Sequence, residues 1–205
     1  MKKGLIIIGA TVAVIAVYFL LFYKKGDTKA ASEKQQPLAQ SKNSETFNTP
    51  FNNMLSSYFE LKNALVDWDT AKASASADNL MKLASGVPYD DLKADTTIIA
   101  TAKSFSESVI AEAKGVVGEN TIEEKRRSFY TLSENLYNLL RTVHYDQQVI
   151  YHDKCPMAFN DSEEGYWVSN SKAIVNPYLG KKHPHYAGGM IGCGSIEDSI
   201  DYRGK

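Results

Sequence analysis

The sequence predicts a mainly α protein: an antiparallel four-helix bundle with a loop-rich C-terminal clasp, preceded by an N-terminal transmembrane helix. Three observations lead there. An uncharged apolar run extends from Gly4 to Tyr23. Four later segments repeat apolar residues at spacings of three and four, the period of a helix with one buried face. The tail from His152 to Cys193 then loses that period, and it holds both cysteines, two of the five methionines and three of the four histidines.

The first run, read as a helix, is about 30 Å long, enough to cross a bilayer. A signal peptide has a shorter apolar region with a small-residue cleavage site directly after it. Here Phe22-Tyr23-Lys24-Lys25 follows, so residues 1–25 read as an uncleaved anchor in contact with membrane lipid. Lysines flank the run on both sides and charge alone does not orient it. A lone N-terminal span ahead of a domain usually acts as a signal anchor. The expected location is therefore the inner (cytoplasmic) membrane, single-pass, with the C-terminal domain in the periplasm. Residues 26–47 are polar and small with almost no large apolar side chains, which reads as a flexible linker. Its end-to-end distance is roughly 25 Å.

Residues 48–200 form the expected domain, with the clasp at 151–200. Thr49-Pro50 reads as a helix N-cap followed by proline at the first helical position. The stripe Phe51, Met54, Leu55, Tyr58, Leu61, Leu65, Trp68 continues from there. Asp69-Thr70 opens a second helix that ends at Gly86. A third runs from about Thr96 to Lys114 and stops at Gly115. Thr121-Ile122-Glu123-Glu124 is a capping box that opens a fourth, carried to about His144 by Phe129, Leu132, Leu136, Leu139, Leu140 and Val143. His144 is expected at the helix end. Short connections between four amphipathic helices give the antiparallel bundle. Gln148 to His152 is a short β-compatible segment, and Tyr166, Trp167 and Tyr178 are expected to pack the clasp on the bundle.

The net charge of −1 offers no basic stripe for nucleic acid. Lys125-Arg126-Arg127 sits beside Glu123 and Glu124 and reads as a solvated helix face. In the tail, Cys155-Pro156-Met157 and Met190-Ile191-Gly192-Cys193 supply two thiols and two thioethers, the donor types that select soft ions, Cu(I) above all. His152, His183 and His185 are further candidate ligands, and His183-Pro184-His185 resembles a surface motif for Cu(II) or Zn(II). The competing reading is a Cys155–Cys193 disulfide, closing a loop of roughly 40 residues and stabilising by about 3 to 4 kcal/mol. Unrelated free thiols are the third. Asp161, Glu163 and Glu164 form an acidic loop without calcium-site spacing.

Four short motifs follow one another: Cys155-Pro156-Met157-Ala158-Phe159-Asn160, Gly165-Tyr166-Trp167-Val168-Ser169, Ile174-Val175-Asn176-Pro177-Tyr178-Leu179-Gly180, and Met190 to Gly194. In this order they resemble the C-terminal signature of a bacterial domain of unknown function. That domain is found alone or on periplasmic adaptor (membrane fusion) subunits of copper and other heavy-metal efflux systems, mainly in the Bacteroidetes. The resemblance, over roughly 48–200, implies a helical body, an extracytoplasmic location and a metal-efflux context, with Cys155, Met157, Met190 and Cys193 on the signature positions. The segment His183 to Gly189 departs from the pattern as an insertion.

The expected function is accordingly a membrane-anchored metal-binding protein, with a copper ion as ligand and an efflux adaptor or pump as partner. The alternative is an envelope interaction module pinned by the disulfide. An enzyme is not expected, because a thiol nucleophile needs a low pKa and an oriented base, and the nearness of His152 to Cys155 in sequence does not supply that geometry.

Overall fold

The computed structural model describes residues 42–204. The anchor and most of the linker lie outside the described residues; among the described residues no helix is long and apolar enough to cross a membrane. The chain is mainly helical, with four helices followed by a small antiparallel sheet: α1 (Glu45–Val66), α2 (Thr70–Ser85), α3 (Thr96–Gly118), α4 (Ile122–Thr142), β1 (Ile150–Phe159), β2 (Glu163–Ser169) and β3 (Ser195–Ile200).

Helix α1 begins earlier than its proline suggests. Ser44, not Thr49, is the N-cap, its side chain accepting from the Phe47 amide, and Pro50 sits inside the helix. Proline there removes one backbone hydrogen bond. Burial offsets it: Phe47 and Phe51, one turn apart, are both buried with ring centroids 5.2 Å apart. Asn43 Nδ2 donates to Val143 O at 3.0 Å, tying this extra turn to the end of α4. The linker of the sequence reading is thus shortened by the residues that the helix claims.

Asp69 and Asp95 cap α2 and α3, and the Thr121–Glu124 capping box opens α4. Helix α3 does not stop at Gly115 but continues to Gly118. Gly115 is instead a packing position, since a Cβ there would lie 2.7 Å from Ser128 Oγ of α4. Val143 caps α4, and His144 follows with a left-handed φ of 50°, its ring stacked on Tyr202. Consecutive helices pack on one another, and Tyr58 joins the first to the last by stacking on Phe129 at 5.4 Å.

The reading of Lys125 and Arg126 as solvated is corrected: each is only 3% exposed. Lys125 Nζ donates to Val116 O, Glu119 O and Ser74 Oγ at 2.6, 2.7 and 2.9 Å. It therefore satisfies carbonyls at the C-terminal end of α3, where the helix dipole favours a cation. Arg126 donates to Leu65 O and Pro177 O, joining the end of α1 to the tail.

The clasp is also corrected, because it is built on a three-stranded sheet of order β2-β1-β3. Asn160 and Asp161 take φ of 50° and 55° in the β1–β2 turn, a conformation these residue types tolerate best after glycine. Pro156 falls within the irregular stretch between Cys155 and Phe159, where a missing donor breaks no regular ladder. One hydroxyl pins sheet to bundle. Ser133 Oγ donates to Phe129 O, so the Tyr58 hydroxyl donates to Ser133 Oγ at 2.8 Å and accepts from Val168 N at 3.0 Å.

Candidate functional site

Between residues 151 and 155 the β1–β2 register is unbroken, so side chains alternate cleanly between faces. Asp153 and Cys155 share one face with their partners Trp167 and Gly165. His152 and Lys154 share the other with Val168 and Tyr166.

On the first face the segment 174–194 folds over β1. Asn176, fully buried, organises it: its Oδ1 accepts from the amides of Tyr178 and Leu179 at 2.8 and 3.0 Å, and its Nδ2 donates to Cys193 O at 2.8 Å. The Asn176 side chain and the Met157 amide also lie beside the Cys155 sulfur, where each favours the thiolate. Gly194 has a φ of 141° and rests against β1, where a Cβ would stand 2.4 Å from Lys154 O. That close approach brings the preceding residue, Cys193, beside Cys155. The two thiols are free neighbours, Cys155 fully buried and Cys193 partly exposed. Burial pushes the Cys155 thiol up from its ordinary pKa, and Cys193 adds to the rise. Each therefore favours the proton-bearing form of Cys155.

Beyond the thiols on the same face lies Asp153, fully buried, with no hydrogen-bond partner on either carboxylate oxygen among the described residues. Its pKa is raised to about 7 by burial, against the opposing pull of Lys62, His152 and the Trp167 indole. The indole Nε1 faces the carboxylate without completing a hydrogen bond. Lys62 is itself buried, and burial lowers its pKa while Asp153 raises it. Tyr178 closes the layer: its hydroxyl donates to Tyr166 O, and its ring meets Trp167 and Phe159 edge-on at 5.9 and 5.2 Å.

The other candidate ligands are placed differently. His152 is turned to the opposite face, where Nε2 pairs with Glu134 Oε1 at 2.7 Å and the ring is stacked between Tyr137 at 4.0 Å and Tyr166 at 5.0 Å. His183 stacks on Tyr186 at 4.8 Å and meets Trp68 edge-on, with His185 6.0 Å away. Met157 and Met190 are partly buried against the core. The structure thus brings together Cys155 and Cys193 out of the seven residues. Among the described residues no three His, Cys, Asp or Glu side chains converge as a metal cluster.

Sequence reasoning missed Asn176, Asp153 and Lys62. Asn176 carried a usable signal, because Asn followed by Pro and Tyr reads as an Asx turn. Asp153 and Lys62 carried none. An acidic residue between His and Lys, and a lysine on an amphipathic helix, both look solvated until strand register and helix packing are known.

No curated protein and no solved structure matches the chain. A family model described as "Protein of unknown function (DUF3347)" matches residues 54–148, which cover most of α1, the other three helices and the approach to β1, but neither cysteine. The helical body of this chain therefore carries a DUF3347 domain, of unknown function, at residues 54–148.

Proposed function

We propose that this is a membrane-anchored, extracytoplasmic protein that binds a soft heavy-metal ion, Cu(I), through Cys155 and Cys193 as an accessory to metal efflux. The observation that carries the reading is the meeting of two thiols from distant segments, one fully buried and one partly open to solvent. Two thiols suit Cu(I), which accepts thiolate ligands in low coordination number, better than Zn(II), which takes four donors in a closed site. Burial that disfavours a bare thiolate selects for an ion whose bond to sulfur can displace the proton, so uptake releases protons. Binding through the dithiol needs none of the three histidines.

Titration of reduced protein with Cu(I) against a chromogenic Cu(I) chelator tests this. One ion per chain is expected, lost in the Cys155→Ser, Cys193→Ser double variant and kept in His152→Phe. Equal weak uptake by parent and double variant would refute it.

The same adjacency favours a second reading, a Cys155–Cys193 disulfide that pins the 174–194 segment in an envelope interaction module. Intact mass before and after alkylation, on protein isolated without reductant, separates the two: two alkylated thiols count against the disulfide.

A further inference from the structure

We infer that a cleft between the end of α1, the start of α4 and the β1–β2 hairpin binds a small monocarboxylate with an apolar body. The cleft has a volume of about 120 Å³, and Trp68, Arg126, Arg127, Phe159, Tyr178 and His183 line it. It is separate from the thiol pair and stands independently of the metal reading.

The argument begins with Arg126. Its guanidinium carbon sits 4.1 Å over the Trp68 ring, Nε donates to Pro177 O at 2.9 Å and Nη2 to Leu65 O at 3.1 Å. These partners are neutral. Among the described residues no carboxylate comes within 4.0 Å of this nearly buried cation, and none of them accepts a hydrogen bond from Nη1. A desolvated charge without a counter-charge is costly unless something supplies one. Burial lowers the Arg126 pKa to about 10, the direction expected of such a cation.

Charge and shape then select the ligand. Arg127 is already engaged, with Nη1 3.2 Å from Glu163 Oε2 and its guanidinium over Phe159. Glu123 lines the cleft and favours the charged form of Arg126 without touching it. One incompletely compensated cation beside one acidic group suits a monoanion and disfavours a phosphate dianion. Guanidinium edges match carboxylates in plane and spacing. The walls of Trp68, Phe159 and Tyr178 suit an apolar body attached to that charge. A free organic acid and the C-terminal carboxylate of a peptide share this chemistry.

The test follows the indole N–H of Trp68, which donates to Leu179 O at 3.0 Å, in 15N–1H spectra of the full-length chain in nonionic detergent. The probes are phenylacetate and a tetrapeptide ending in phenylalanine, each beside its neutral amide, and inorganic phosphate. A saturable shift is expected with the two acids, at least tenfold weaker with the amides and with phosphate; the tighter acid identifies the source. Arg126→Gln is expected to abolish the shift. Because it also cuts two structural hydrogen bonds, Ala158→Leu, which enlarges a side chain on the cleft wall and leaves the arginine itself unchanged, is the second variant, expected to lose binding in protein that is folded by circular dichroism. No saturable shift with either acid, an equal response to amides or phosphate, or full binding by folded Ala158→Leu protein would overturn the proposal.

Discussion

The two faces of strand β1 sit one residue apart and follow opposite chemistry. On one, His152 and Lys154 have partners with charge and water within reach: His152 has Glu134, and Lys154 pairs with Glu164 at 2.8 Å. On the other, Asp153 has no hydrogen-bond partner among the described residues and the Cys155 thiol is held in its neutral form under a folded-over segment. The difference teaches that alternation in a strand can separate ligand types as well as polarity. The imidazole that looked like a neighbour of Cys155 in sequence is its neighbour in space only through the strand.

The largest expected way to break that contrast is Asn176→Ala. It strips partners from the buried amides of Tyr178 and Leu179 and from Cys193 O, and a loss of about 3 kcal/mol is expected. Urea unfolding measures it, and alkylation of Cys155 should quicken in step.

Asp153 gives the next effect. Its folded pKa of about 7 lies above the ordinary carboxylate value of 3.8, so between those limits the native state holds more protons than the unfolded chain. The sign of linkage then makes stability fall as pH rises from about 4 to about 7 and level off above. Asp153→Asn should remove that slope and stabilise the protein by about 2 kcal/mol at pH 8, read by urea unfolding at pH 5 and pH 8. An unchanged slope would mean that Asp153 is paired in solution.

Tyr58→Phe deletes the hydroxyl that bridges Ser133 and Val168 N, and a cost of about 1.5 kcal/mol is expected. The smallest effect belongs to the face that carries His152. His152→Phe preserves an aromatic ring between Tyr137 and Tyr166 but loses the contact with the partly exposed Glu134, and a change below about 1 kcal/mol is expected. Cu(I) affinity should not move with it, since this imidazole faces away from the thiols.

The second and fourth helices were the most readable because each had both a period and a start residue; Asp69 and the Thr121–Glu124 box mark real ends. The errors came where one residue type has two uses. Pro50 resembles a first-turn proline, yet the helix passes through it because Phe47 has a core to enter. Gly115 resembles a stop, yet it is the gap into which Ser128 fits. Only the start of strand β1 was legible, in the β-compatible segment Gln148 to His152, because Asp153, Lys154 and Pro156 interrupt the apolar alternation beyond it. Lys125 and Arg126 looked like surface because their acceptors are backbone carbonyls at the ends of other elements, which no side-chain pattern announces. In the candidate site, the pairing of Cys155 with Cys193 was one of several open readings, whereas Asn176, which holds them together, was visible only as part of a motif.

The bonds of Asn176 also govern timing. A reagent or ion from solvent meets Cys193 first, while Cys155 becomes reachable only when the Asn176 contacts with Cys193, Tyr178 and Leu179 open together. Arrival at the second sulfur, and departure from it, is then clocked by a local unfolding event rather than by diffusion, and the residence time of anything bound to both sulfurs is a property of the segment that covers them.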